Sequence, residues 1–485
     1  MPKKITEKTM KGVVALTATQ GAVLALTLGT NIVLARLLEP GDVGIYALLN
    51  IVVLAAYFFT DFGLAGTLIQ RPEEPCRREL RTVFTVQMVL ALALTCGLVM
   101  LGPTVRHFYR LDEGIGPALP VLSLILLATP FESVSGVVLE RRLNYSAVGV
   151  IHLLGGISYA GTSISLAVTG AGVWSLIGGN VASSLTRALV AVTLSRWPIG
   201  VALEGRFLRE SLSSGISYQL GGILPLVRDN APLLMAGVLF GPIPVGYVAW
   251  ARTLTYGLTN VFAHAWARVG YSATARLCQE RQQQSVLIEK MTLTLTLVIL
   301  PLSILLIGLR RPMISVIFGD KWLPALPAVV LFGMRMIGAS LATLFVAALN
   351  GNGHFPLGAR ILSIWTLLEV LVSTPLILMF GGIGVAIGAA ATVWVAVVWM
   401  IRALQKISCP GIVKAVTKPT VAALITSLFL EVMSSYVTGV ISLAVIGLSG
   451  LAVYLVVIVL TIPEISASAV RHAAGLRQRF VVGEL

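Results

Sequence analysis

The residues best placed to do chemistry are Arg228, Asp229 and Arg252, all within the stretch 218–253, YQLGGILPLVRDNAPLLMAGVLFGPIPVGYVAWART. Two apolar runs there flank the turn Gly241-Pro242-Ile243-Pro244. Read as helices descending from one membrane face, they place Arg228 14 residues and Arg252 10 residues from Pro242. At about 1.5 Å of rise per residue, both lie roughly 15–20 Å deep, near the centre of a bilayer. An ionised side chain at that depth is costly, so it faces a cavity or a partner and marks a functional site. Guanidinium stays charged and forks onto phosphate oxygens, which makes Arg228 and Arg252 candidates for gripping an anion. The competing reading is that they pair with acids on neighbouring helices and only pin the bundle. Asp229 points about 100° away from Arg228 on a helix, so it is expected to serve Arg252 rather than its own neighbour.

Arg335 and Glu369 repeat the pattern, twelve residues in from Leu323 and thirteen in from Pro356. They read either as a structural ion pair or as a cavity arginine beside a protonatable carboxylate, the latter suiting an ion-coupled carrier. Arg228, Arg252 and Arg335 are therefore the candidate substrate-binding residues, with Asp229 and Glu369 the candidate ion-coupling residues. Glu132 and Arg187 are expected to be structural partners. Arg36 and Asp61 are expected to make snorkelling and helix-end contacts. Pro225, Pro232, Pro242 and Pro244 crowd the same hairpin, where proline frees a carbonyl and permits bending.

Composition identifies the elements that must hold these groups. Of 485 residues, 56% are hydrophobic and only 12% charged, with a mean hydropathy of +0.91. A soluble chain carries about 25% charge, so this is an integral membrane protein. The first apolar run, 12–38, is too long for the core of a signal peptide and is read as a retained helix. A net charge of +14 fits cytoplasmic loops beside anionic lipid and calls for no nucleic-acid partner. The four cysteines, Cys76, Cys96, Cys278 and Cys409, show no metal-ligand spacing and no disulfide framework.

Apolar segments of spanning length fall at about 12–38, 43–69, 82–102, 117–139, 146–169, 172–195, 212–240, 245–267, 286–309, 323–350, 356–380, 383–403, 416–438 and 440–462. The fold class is thus an all-α polytopic membrane protein of about fourteen helices. Thr82, Thr85 and Gln87 dilute the third run. Most of the 35 Lys and Arg residues lie on one side of these segments. Arg36, Arg106, Arg110, Arg310, Arg311 and Lys321 lie on the other, and the bias puts both termini in the cytoplasm.

The chain also repeats. Leu38-Glu39-Pro40-Gly41-Asp42-Val43-Gly44-Ile45-Tyr46-Ala47 returns as Phe240-Gly241-Pro242-Ile243-Pro244-Val245-Gly246-Tyr247-Val248-Ala249. Pro117-Ala118-Leu119-Pro120 returns as Pro324-Ala325-Leu326-Pro327, and Gly170-Ala171-Gly172-Val173 as Gly382-Ile383-Gly384-Val385. Three matches in one order, with slowly growing offsets, indicate internal duplication. Six helices separate the copies, so the repeats are parallel about an axis along the membrane normal. The expected domains are six-helix bundles at 1–200 and 205–406, a helix pair at 416–462, and a cytoplasmic tail at 463–485. This is transporter architecture, with the site enclosed by the two bundles.

Catalytic signals are missing. The sequence has no GxxxxGK[ST] phosphate loop and no HExxH, and its five histidines are scattered. The outer segments are short, the longest at about 103–116 and 310–322, so the chain reads as a transporter that is not an enzyme. No cofactor and no metal are implied.

Several segments resemble the opening of the polysaccharide transporter family, the Wzx-type flippases of the multidrug/oligosaccharidyl-lipid/polysaccharide exporter superfamily. They are Leu34-Ala35-Arg36-Leu37-Leu38-Glu39-Pro40, Gly44-Ile45-Tyr46-Ala47, Asp61-Phe62-Gly63-Leu64 and Leu68-Ile69-Gln70-Arg71. Leu139-Glu140-Arg141-Arg142-Leu143-Asn144-Tyr145 resembles that family's basic segment after the fourth helix. Gly170 to Trp174 resembles the start of its sixth. The likeness covers residues 1–200 and points toward the branch of colanic-acid, succinoglycan and teichuronic-acid exporters. It implies two bundles around a cationic cavity that moves undecaprenyl-diphosphate-linked oligosaccharide between leaflets of a bacterial inner membrane by alternating access. The product route is exopolysaccharide, capsule or O-antigen, and the implied partners are the lipid-linked oligosaccharide, membrane lipids, and a polysaccharide polymerase and co-polymerase. The family has no invariant catalytic motif, so the arginines above are chosen by depth and charge alone. The alternatives are a drug or cation antiporter of the same superfamily, which should line its cavity with acid, and a membrane-embedded glycan polymerase or ligase.

Overall fold

The computed structural model describes residues 2–70 and 73–462; the expected tail at 463–485 and Arg71 of the quoted motif lie outside them. Side chains are described from Thr19 onward, except at 70–72, 206, 209–221, 258 and 260–261. Fourteen long helices follow one another among the described residues. They are α1 Pro2–Leu37, α2 Pro40–Asp61, α3 Arg77–Tyr109, α4 Ile125–Arg141, α5 Tyr145–Val168, α6 Val173–Ser195 and α7 Gly205–Phe240. Next come α8 Pro242–Arg276, α9 Arg281–Gly308, α10 Leu326–Gly351, α11 Phe355–Phe380, α12 Ile383–Ile407, α13 Ile412–Met433 and α14 Val440–Thr461. Each matches one apolar run. Thirteen helical stretches among the described residues are long and apolar enough to cross a membrane, and α8 is continuous over 35 residues. The expectation of an all-α polytopic membrane protein holds.

Local signals set the boundaries. Proline opens α2 and α8, where its missing N–H costs nothing. The backbone N–H of Glu39 donates to Asp42 Oδ2 at 3.1 Å. Cys76 N donates to Glu79 Oε2 at 2.8 Å while Glu79 N donates to Cys76 Sγ at 3.4 Å, a reciprocal cap on α3. The basic segment after α4 closes chain ends. Arg141 donates to the Leu68 and Glu73 carbonyls at 2.7 and 2.6 Å. Arg142 donates to the Ser195 carbonyl at the end of α6, at 2.9 Å. Cations at helix C-termini satisfy carbonyls that the helix leaves bare and match its dipole.

The polar residues that thin the α3 run are ties. Gln87 is fully buried, and its Nε2 donates to Asp61 Oδ1 at 2.5 Å and to Ser133 Oγ at 3.1 Å. Thr85 Oγ1 accepts from Ala202 N at 3.2 Å. Asp61 Oδ1 also accepts from Ala65 N at 3.1 Å, which is the helix-end contact expected of it. The segment after α9 folds into short turns at Arg310–Met313, Ile314–Phe318 and Asp320–Ala325. Trp322 is fully buried there.

The chain packs as two compact units, Met1–Trp250 with Thr366–Val385, and Ala251–Trp365 with Ala386–Leu485. One core of the first unit joins Leu49, Val53, Ala91, Leu98, Leu122 and Ile177. In the second, Leu295, Ile299, Phe345, Trp365, Val393 and Met400 form one core. A further cluster there seats Leu430 of α13 and Tyr454 of α14 against Leu300 and Ile304 of α9.

Within the first unit the repeated motif meets its own copy. A Cβ added at Gly44 would collide with the Pro242 carbonyl oxygen, and one at Gly246 would collide with the Pro40 carbonyl oxygen. Backbone thus packs on backbone in a reciprocal pair, which only glycine permits. The third repeat supports the same ends: Gly172 lies against Asp42 of α2 as Gly382 lies against Pro244 of α8. Gly44→Ala should therefore destabilise the protein by about 1–3 kcal/mol through overpacking. Gly97→Ala, where nothing lies within 4 Å of the added Cβ, should be neutral or slightly stabilising. Thermal unfolding in detergent checks the pair; equal behaviour of the two variants would show that the contact is not tight.

Candidate functional site

Two clusters hold the candidate residues, one in each unit. In the first unit, Arg228 and Asp229 lie on α7 and Glu369 on α11. Arg228 Nε donates to Asp229 Oδ1 at 2.9 Å and its Nη2 to Oδ2 at 3.3 Å. The Glu369 Oε2 stands 4.0 Å from the same Nε. These side chains are 11%, 17% and 3% exposed, so the group is shielded from bulk solvent. Thr366, one turn before Glu369, donates its hydroxyl to the Leu224 carbonyl of α7 at 3.3 Å. Pro232 cannot supply the N–H that the Arg228 carbonyl would otherwise receive, which loosens α7 at this level.

This corrects the expectation that Asp229 is not a direct partner of Arg228. Adjacent Cα positions diverge by about 100° on a helix. The arginine side chain is long enough to curl back around the surface, and the fork geometry of guanidinium rewards it for doing so. Glu369, read against Arg335 in the sequence, stands next to Arg228.

In the second unit, Arg252 lies on α8 and Arg335 on α10, and Tyr256 stands between them. The Arg252 guanidinium carbon is 5.2 Å and that of Arg335 5.3 Å from the centroid of the Tyr256 ring. Arg335 Nη1 also donates to the Tyr256 hydroxyl at 3.1 Å. Arg335 is buried, 6% exposed. The ring faces attract cations, so one aromatic side chain fixes two guanidiniums at mid-helix depth. The sequence reading misses Tyr256, although its position four residues after Arg252 puts it on the same helical face.

The remaining charged candidates are structural. Arg187 Nε lies 3.3 Å from Glu132 Oε2 within the first unit, the ion pair expected for them. Arg36 is exposed in the last turn of α1, where a cation complements the helix dipole. Arg310 forks onto Glu431 at 2.5 and 2.8 Å, an exposed pair of small energetic weight. Among the described residues no group of three or more His, Cys, Asp or Glu is arranged to hold a metal ion.

The family model described as "Polysaccharide biosynthesis protein" matches residues 33–327, more than half of the chain. The succinoglycan biosynthesis transport protein ExoT of Rhizobium meliloti is 24% identical over 447 residues, 88% of each chain. The lipopolysaccharide biosynthesis protein WzxC of Escherichia coli is 21% identical over 364 residues, 70% of each chain. Among solved structures, the lipid II flippase MurJ in an inward closed conformation superposes with a TM-score of 0.77 at 13% identity. That match covers 93% of this chain and 99% of the other. An inward-facing multidrug resistance MATE family transporter of the MOP superfamily gives a TM-score of 0.63 at 15% identity, covering 82% and 98%. At these identities the structural likeness establishes the fold.

Removing the ring and removing only its hydroxyl should separate. Tyr256→Phe loses one hydrogen bond and should cost about 1 kcal/mol of stability. Tyr256→Ala loses both cation–π contacts and the packing, about 3 kcal/mol or more. Unfolding of the two variants under one set of conditions is the measurement, and equal losses would show that the ring does not hold the arginines.

Proposed function

Because the chain belongs to the polysaccharide biosynthesis protein family, we propose that it is a flippase. Its cargo is an undecaprenyl-diphosphate-linked oligosaccharide repeat unit, moved across the bacterial inner membrane for exopolysaccharide, capsule or O-antigen synthesis. The observation that carries this reading is the convergence of Arg252 of α8 and Arg335 of α10 on Tyr256. Two guanidiniums on one ring present fork-shaped donors to a diphosphate, which has several oxygens to fill them. The names of the relatives, a succinoglycan transport protein and a lipopolysaccharide biosynthesis protein, support the same cargo class.

The two repeats, 1–200 and 205–406, rock about the substrate in alternating access, with both termini in the cytoplasm. The diphosphate binds Arg252 and Arg335, the sugars occupy hydrated space and the prenyl chain stays in lipid. Arg228 is the coupling element. Its Nε is shared unequally by Asp229 and Glu369, at 2.9 and 4.0 Å. A proton or sodium ion on either carboxylate weakens that carboxylate's hold and turns the guanidinium toward the other. The chain catalyses no bond formation and passes its cargo to a polymerase and co-polymerase.

The half-buried Asp229 and buried Glu369 also suit the second reading, a drug or cation antiporter. Both are decided in proteoliposomes holding a fluorescent undecaprenyl-diphosphate oligosaccharide. Wild type should move the probe between leaflets, and Arg252→Ala/Arg335→Ala should lower the rate at least about 100-fold, the loss of two charged hydrogen-bonding groups. Glu369→Gln should bind the probe yet respond weakly to a proton or sodium gradient. No translocation by folded wild type under either gradient, with cation efflux instead, would establish the antiporter.

A further inference from the structure

The second unit contains a groove of ≈ 490 Å³ between α8 and α10, lined by His264, Arg268, Tyr271, Thr343, Val346 and Asn350 among others. His264 and Arg268 are four residues apart and share one face of α8. Among the described residues no carboxylate lines the groove; apart from the polar groups its described walls are Ala267, Val346 and Ala347. Such a lining suits an amphiphile with an anionic head. The groove lies 22–26 residues along α8 from Pro242, about 33–39 Å at helical rise, so it opens at the interface opposite the Gly241–Pro244 turn.

Its floor is rigid. A Cβ on Gly351 would lie 2.7 Å from the Tyr271 carbonyl oxygen, so α10 meets α8 there backbone to backbone. The fully buried Gln284 donates to the Thr274 carbonyl at 3.3 Å and to Asn352 Oδ1 at 2.6 Å, locking the ends of both helices beside the groove. Along α8, Arg252, Tyr256, His264 and Arg268 all fall on one four-residue spacing. Such a spacing drifts about 40° per step, so these groups form a polar stripe that winds about 160° around α8 between Arg252 and Arg268. It runs about 24 Å from the groove to the Arg252–Tyr256–Arg335 cluster.

We propose that this groove is a first docking station for the diphosphate of the lipid-linked substrate, entered before the cluster at mid-depth. The proposal rests on the flippase reading, and it names His264 and Arg268 as phosphate-binding residues, with Asn350 as a hydrogen-bonding neighbour. The stripe on α8 then leads the head group inward while the prenyl chain follows the aliphatic wall.

The test is equilibrium binding of undecaprenyl diphosphate to the full-length protein in nanodiscs of zwitterionic lipid. His264→Gln/Arg268→Gln should weaken binding roughly tenfold or more, the loss of charge-assisted contacts to phosphate. Arg268→Lys, which keeps the charge, should recover most of it. Arg360→Gln removes an exposed cation that does not line the groove and should change nothing. Where the double variant unfolds, His264→Gln alone carries the test, with a loss of about threefold expected. Unchanged binding in the folded variants, or an equal loss in Arg360→Gln, would overturn the site. Displacement of the probe by equimolar phosphatidylglycerol would make it a general lipid headgroup site and overturn the substrate assignment. Binding is read without transport. A wild type that binds through His264 and Arg268 but moves nothing therefore undoes only the flippase reading. Intact transport with binding indifferent to these residues undoes only the docking station.

Discussion

Hydrocarbon offers no water to a polar group, and this constraint governs both the backbone and the charges of the protein. Backbone N–H and C=O groups can be satisfied inside the membrane only by helices or closed barrels, so a chain this apolar folds into spanning helices. Charges obey the same rule less uniformly. Arg141 and Arg142 spend their donors on helix-end carbonyls, and Arg187 lies against Glu132. Arg228 is held by Asp229, while Arg252 and Arg335 rest on an aromatic face. An arginine on a ring is stabilised by about 0.5–2 kcal/mol, and Arg335 adds a hydrogen bond to the Tyr256 hydroxyl.

The duplication visible in the sequence turns out to preserve backbone shape more than chemistry. Glycine and proline are what the two copies share, and the structure uses them where α2 and α8 begin. Gly44 and Gly246 each lie against the carbonyl of the other copy's proline at a distance no side chain would tolerate. Gly172 and Gly382 back the same two helix ends from α6 and the turn before α12. A site of that kind resists substitution on steric grounds alone. Arg228 and Arg252 have no counterparts of like charge in the first copy, where the positions at the offset of the first match hold Leu26 and Asn50.

Helices and their order were legible because a spanning helix needs about twenty apolar residues and little else. Helical rise likewise converts the sequence distance of the arginines from a helix end into an expected depth. Their partners were not legible. Which helices touch is decided by packing between segments distant in sequence, and a single chain carries no direct record of that. Glu369 stands beside Arg228 of α7, a neighbour the sequence reading did not give it, and Gln87 looks like a blemish in an apolar run yet ties α3 to Asp61 and Ser133. The expectation for Asp229 fails for a different reason. It treats the helix wheel as if side chains were rigid spokes, and arginine is the side chain for which that approximation is poorest. Tyr256 needed only the rule that residues four apart share a face, applied to an aromatic instead of an acid.

The unequal sharing of Arg228 is where stability and function pull apart. A buried guanidinium bound bidentately by one carboxylate is already well satisfied, and a second carboxylate at 4.0 Å adds desolvation cost for little further attraction. In the coupling role proposed for it, Glu369 is an acid because its charge changes during the working cycle. With both carboxylates ionised the guanidinium is held at Asp229; with either neutralised the balance shifts by an amount that a proton or a sodium ion sets. On that proposal Asp229 and Glu369 around one arginine form an element with two settings, and Pro232 places it on a stretch of α7 whose backbone has already given up a hydrogen bond.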